Sequence, residues 1–175
     1  MRATYNSAAW SLNAGVTQVG EAFNPEVGFL RRTGFRNIQL GIFHRYRPHH
    51  LLGLLEIRPH TSYRAFWNFD GFQETGFWHI DSHWEWKNGY EVHTGINFTR
   101  EGVRDEDEED EIDGFEIFPH IVVPRGTYDH AEAAFRFFTN RGAWWSFRLN
   151  VTVGCFLGGH RLSVQPSFRF RIGET

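Results

Sequence analysis

A single cysteine, Cys155, stands in a chain of 175 residues. It excludes an internal disulfide framework and a zinc site built on several thiolates. Cys155 falls on an apolar row, where a lone thiol serves as a small hydrophobe. No apolar run reaches the ~18 residues of a helical membrane span, and no stretch keeps a helical period. Positive charge is not in surplus. Lys and Arg total 18 against 21 Asp and Glu, a net charge of −3, which argues against nonspecific nucleic-acid binding. There is no glycine-rich phosphate loop, no Gly-x-Ser-x-Gly elbow and no Cys/His nucleophile pair. The opening residues Met1 to Asn6 carry no apolar stretch of signal-peptide type. For an exported protein that implies a longer parent, with the signal and further strands upstream.

What the chain has instead is aromatic side chains and strict alternation. Aromatics make up 17%, with 18 Phe and 7 Trp. From Trp78 to Glu85 the residues Trp78, Ile80 and Trp84 fall on one face of a strand, and His79, Asp81, His83 and Glu85 on the other. Seven more segments alternate in this way, beginning at Trp10, Asn37, Leu55, Tyr90, His130, Trp145 and Arg161. The pattern predicts an all-β chain. About eight long strands form one antiparallel up-and-down meander over residues 1–175, as part or all of a transmembrane β-barrel.

Strand length and face chemistry carry the membrane reading. Several predicted strands run to roughly 12–16 residues, against about 5–6 in globular domains and about 9–11 for a tilted membrane strand. The polar rows hold Arg, Glu, His, Asp and Asn, which suits a lumen. Tyr46, Trp67, Trp86, Tyr90 and Trp145 sit near the ends of the apolar rows, like interfacial girdles. The alternative is a soluble sandwich whose apolar faces form the core. Loops also sort by side. Short turns are predicted at Lys87-Asn88-Gly89 and Asn140-Arg141-Gly142, with a moderate one at Pro48 to Gly53. The opposite side carries Gly20 to Gly34, Asp70 to Glu74 and Glu101 to Thr127, with Gly158-Gly159 as the short exception.

The strongest chemical cluster is His79, Asp81, His83, Glu85, Glu91 and His93. If the Lys87-Asn88-Gly89 turn pairs Trp86 with Tyr90, His83 faces His93 and Glu85 faces Glu91. Two His and two carboxylates suit zinc or a similar divalent ion. The facing glutamates would recruit a cation or raise one pKa. The competing reading is a lumen network of charge pairs balanced by Arg58, Arg64, Arg136 and Arg148, with no cofactor. The spacing fits neither a cupin His-x-His pattern nor a helical His-Glu-x-x-His motif. A run containing Asp105, Asp107, Glu109 and Asp110 could hold a cation, but it lacks EF-hand spacing and reads as a solvated loop. In Phe23-Asn24-Pro25-Glu26-Val27-Gly28-Phe29-Leu30-Arg31-Arg32, Pro25 and Gly28 predict an ordered turn. Arg31 and Arg32 face lipopolysaccharide phosphates or solvent.

That block occurs with Tyr63 to Glu74, Trp84 to Arg100, Phe115-Glu116-Ile117 and Pro124-Arg125-Gly126-Thr127-Tyr128. Together they resemble the uncharacterised C-terminal β-barrel domain of bacterial proteins that begin with a family-9-like carbohydrate-binding module. The resemblance covers nearly the whole chain. It implies a bacterial outer-membrane barrel, lipid or lipopolysaccharide as surroundings, and a carbohydrate-binding domain upstream in the same parent. It implies a fragment, because family members extend on both sides. The family has no established activity, so no catalytic residue follows from it. The expected role is transport or anchoring linked to carbohydrate binding. The alternative is a soluble metal-dependent enzyme or binding domain using His79, His83, His93 and Glu85.

Overall fold

The computed structural model describes residues 1–26, 28, 32–104, 114–156 and 158–173. Every regular element among them is a strand: β1 (Arg2–Asn6), β2 (Trp10–Val19), β3 (Phe35–His44), β4 (Leu54–Asn68), β5 (Gln73–Trp86), β6 (Glu91–Val103), β7 (Gly114–Phe118), β8 (Ile121–Pro124), β9 (Gly126–Phe138), β10 (Trp145–Phe156) and β11 (Gly159–Phe170). Nine of them form one antiparallel sheet in the order β1-β2-β3-β4-β5-β6-β9-β10-β11. Only neighbours in sequence pair, apart from the step from β6 to β9 around the separate β7-β8 hairpin. The eight strands expected from alternation are β2 to β6 and β9 to β11. Sequence reading missed β1 and took β7 and β8 as part of one long loop. No pairing joins β1 to β11, so the sheet is open among the described residues.

Antiparallel partners share a face, so register assembles the rows. Thr61, Ile80, Ile96, Ala133, Val153 and Leu162 lie side by side across six strands. On the other face, Ser62, His79, Asn97 and Glu132 form a parallel polar row. The apolar face is open: Ile96 is 46% exposed, Val153 51% and Leu162 73%. The polar face is buried at the middle of the sheet, where Glu56 is 7% exposed, Asp81 8% and His93 8%, whereas Arg64, Arg136 and Arg148 on the same face are exposed. Buried hydrophobic residues among those described are few, Leu54, Ala65 and Val123. A soluble sheet normally does the reverse, burying its apolar face and wetting the polar one.

The ends of the apolar face change character. On the long-loop side, Trp78 packs on Phe98 at 5.4 Å, and its indole N–H donates to Thr61 Oγ1. One pair further out, Arg100 grips Asp129 through two hydrogen bonds of 2.7 and 2.6 Å. Beyond that, the β4–β5 turn is closed by Asn68 and Asp70, which both accept from the Phe72 N–H. That hydrogen bond, and then Arg104, hold the Asp70 carboxyl below its ordinary range. At the short-turn end, Trp86 follows Trp84 along β5, Tyr90 meets Phe137 edge-on at 5.9 Å, and Trp145 pairs with Phe170.

The β5–β6 hairpin has the three-residue turn expected. The Trp86 N–H donates to the Tyr90 carbonyl, the Gly89 N–H donates to the Trp86 carbonyl, and Gly89 sits at φ 82°. A side chain is strained there. Gly89→Ala should therefore lower folding stability by about 1–2 kcal/mol, read as a shifted urea midpoint. An unchanged midpoint would mean that the turn relaxes without cost.

Candidate functional site

The enclosed polar face of β4, β5 and β6 carries two tiers of ionisable groups. The first is a carboxylate–guanidinium network near the short turns. Glu56 accepts from Arg45 at 3.1 Å and Arg47 at 2.8 Å. Arg58 reaches Glu91 at 2.6 Å and Glu85 at 3.3 Å, and Arg141 reaches the other Glu91 oxygen at 2.8 Å. The second tier lies deeper along the strands and is made of imidazoles around Asp81. His79 Nε2 and His83 Nε2 stand 3.6 and 3.5 Å from Asp81 Oδ2. His60 lies directly across from Asp81 on β4, with its ring 5.2 Å from His79 and 4.8 Å from His83.

The register expected from the hairpin is observed. His83 pairs with His93 and Glu85 with Glu91. The two imidazoles stack at 3.4 Å, tilted by 7°. All six expected residues share the polar face, but they do not form one ligand set. Arg58 occupies the space between the glutamates and is the cation they recruit. Glu85 stands in the guanidinium tier, apart from the imidazoles. Glu91 links the tiers by accepting from His93 Nε2 at 2.8 Å. Of the arginines expected to balance the lumen, Arg58 does so. Arg136 and Arg148 instead line a cationic patch with Arg161 on β9 to β11.

His60 is the residue that sequence reasoning left out of the cluster. Alternation already placed it on the polar face. Its partner depended on the register between β4 and β5, which carries shifts at Leu54/Glu56 and Phe66/Trp67. No spacing rule reports those irregularities. Two groupings of donor atoms within 4.8 Å of one another result, His60-His79-Asp81 and Asp81-His83-His93. Room for Asp81 comes from Gly95 across the pair, where a Cβ would meet the Asp81 carboxyl carbon at 3.0 Å. Asp81 Oδ1, His93 Nδ1 and Arg58 Nε are buried with no hydrogen-bond partner among the described residues.

The other expected sites contribute less. Asp105, Asp107, Glu109 and Asp110 lie outside the described residues, as does Arg31. In the first long loop, Phe23 is 54% exposed, and Asn24, Glu26 and Gly28 are exposed as well. Pro25 is partly covered, Gly28 takes φ 118°, and the Phe23 N–H donates to the Gly20 carbonyl. The described part of this block is a surface turn; its Phe23 ring is not a packing anchor. Arg32 pairs with Glu74 at 2.6 Å across to β5.

No family model, curated protein or solved structure matches the chain.

The guanidinium of Arg58 sets the energetics of the first tier. Removing it leaves the half-buried Glu85 without a cation and strips Glu91 of one. Arg58→Met should cost about 2 kcal/mol in denaturant unfolding. Adding Glu85→Gln should recover part of that loss by removing an unpaired carboxylate. A neutral Arg58→Met would show that the network is solvated and energetically idle.

Proposed function

We propose that this chain forms a wall segment of a bacterial outer-membrane β-barrel. Its aliphatic and aromatic face would meet lipid and its ionic face the lumen. The carrying observation is the inverted burial: Ile96 at 46% exposure on one face against Asp81 at 8% on the other. Water gives no reason to enclose charges and expose aliphatics. Lipid reverses that preference, because a hydrocarbon solvent favours the apolar face outward and closed backbone pairing inside.

Dimensions support the reading. From Tyr90, just ahead of β6, to Phe98 the apolar row spans roughly 27 Å at ~3.4 Å per residue. Tilted by about 40°, it would cover about 21 Å of membrane, close to the ~25 Å apolar band of such barrels. Aromatics flank this band at one end, and the Arg100–Asp129 pair closes it at the other. The resemblance to barrel domains that follow a carbohydrate-binding module adds the role. The barrel would anchor that domain of the same parent, or carry a solute for it. A divalent metal in the enclosed imidazole tier belongs to the same reading. The soluble alternative needs a second apolar layer over the exposed face, and no element among the described residues supplies it.

Refolding into detergent micelles or lipid vesicles tests the proposal. The chain should need an amphiphile to stay dispersed and should resist protease once inserted. Ile96→Arg should hinder insertion by about 2–4 kcal/mol. Ser163→Arg, on the opposite face of β11, should insert normally. A monomeric, stable chain in plain buffer, or equal damage from the two arginines, would sink the membrane reading.

A further inference from the structure

We propose that His60, His79 and Asp81 bind one divalent transition-metal ion, with a coordination position left open toward the enclosed polar face. The inference refines the metal element of the reading above and does not depend on which face meets lipid.

Distances come first. His79 Nε2 lies 3.6 Å from Asp81 Oδ2, and His83 Nε2 lies 3.5 Å from it. A hydrogen bond between such groups would draw in to about 2.7–3.2 Å. Two ligands on a tetrahedral ion with ~2.0–2.1 Å bonds stand about 3.4 Å apart. The observed separations suit ligands of a shared cation better than a donor and its acceptor. The donor atoms of His60, His79 and Asp81 all lie within 4.8 Å of one another, so small side-chain rotations close the set.

Ring tautomers come second. His60 Nδ1 sits 3.1 Å from the Arg58 carbonyl oxygen, and His79 Nδ1 sits 2.6 Å from Asn97 Oδ1. Both partners are acceptors, so each Nδ1 carries a hydrogen, and Nε2 is the nitrogen whose lone pair can meet a metal ion. This is how metal-binding histidines are commonly oriented, with the distal nitrogen donating to an oxygen. Here His79 Nε2 faces the Asp81 carboxylate at 3.6 Å, and a ring nitrogen of His60 lies within 4.8 Å of both ligand atoms. Asp81 is 8% exposed, and its Oδ1 has no hydrogen-bond partner among the described residues. A buried carboxylate with an unpaired oxygen is stabilised by a cation beside it. The nearby guanidinium of Arg58 is already held by Glu85 and Glu91.

Ring planes decide between the two possible groupings. His83 and His93 are nearly parallel at 3.4 Å, so their in-plane lone pairs run in separate sheets. One ion cannot lie in both planes. His60 and His79 are inclined at 49°, which lets their planes intersect at a common point. His93 is then a positioning residue, holding His83 beside the open coordination position. Two imidazoles and one carboxylate select zinc, cobalt, nickel or copper over calcium and magnesium. Three protein ligands leave room for water or for a solute with a lone-pair donor.

The test is a cobalt titration of the untagged, metal-stripped chain after folding in detergent micelles. One Co²⁺ should bind per chain, with visible d–d absorption that Zn²⁺ abolishes. His79→Ala and Asp81→Asn should each weaken binding at least about 100-fold, and Asn97→Leu by about 10–100-fold. Glu85→Gln should leave affinity unchanged, which separates this set from one built on the glutamates. A readout without variants is zinc protection of His60 and His79 against diethyl pyrocarbonate, with the exposed His49 and His50 as unprotected controls. Folded wild-type chain that binds no stoichiometric cobalt would overturn the proposal. So would full affinity in both His79→Ala and Asp81→Asn, or zinc that fails to protect His60 and His79. Failure of membrane insertion with cobalt bound would reject the barrel and leave the metal site standing.

Discussion

Pairing register across β5 and β6 is the constraint on which both faces depend. Side chains alternate with period two, so a slip of one residue would carry every group to the wrong face. At the observed register His83 meets His93, Trp84 meets Val92 and Glu85 meets Glu91. Shifted by one, histidine would oppose valine and the apolar row would be broken by carboxylates. The Gly89 turn fixes this register at one end. The polar network fixes it along the strands, because Arg58 on β4 can hold Glu85 and Glu91 together only when those two are opposite.

The enclosed face is tolerable because most of its charges are matched locally. Glu56, Glu85 and Glu91 share Arg45, Arg47, Arg58 and Arg141, and ion pairs of this kind mainly offset desolvation. Asp81 differs. Its neighbours are imidazoles, and two of them, His60 and His79, turn Nδ1 toward the Arg58 carbonyl and Asn97. Glu56, Glu85 and Glu91 on this face have guanidinium partners and Asp81 has only imidazoles beside it, which is why the proposed ion falls at Asp81.

Much of this was legible in the sequence. The eight long strands follow from alternation, and the Trp86–Tyr90 hairpin follows from Asn88-Gly89 and the need to keep tryptophan off the charged face. Less legible was whatever depended on contacts between strands. β1 is only five residues, too short for alternation to stand out, and β2 defines it by pairing. β7 and β8 are a local hairpin outside the main sheet, so no alternation shared with that sheet announces them. His60 joined the cluster through a register that two irregularities in β4 and β5 adjust. The facing glutamates were placed correctly, but the cation between them came from a third strand.

The edges of the sheet place a further demand on a membrane reading. In hydrocarbon, unpaired backbone N–H and C=O groups cost several kcal/mol each, so a spanning sheet must close. The outer edges of β1 and β11 have no partner among the described residues. Pairing them with each other would not suffice, since β1 has 5 residues and β11 has 12, leaving more than half of β11 unmatched. The edge-strand side chains Leu162, Val164, Phe168 and Phe170 are more than half exposed and continue the apolar face outward. If the proposed barrel holds, a longer strand than β1 would have to pair with the free edge of β11. On that reading, lipid against the apolar face and a partner strand at the open edge would answer two features of the same sheet.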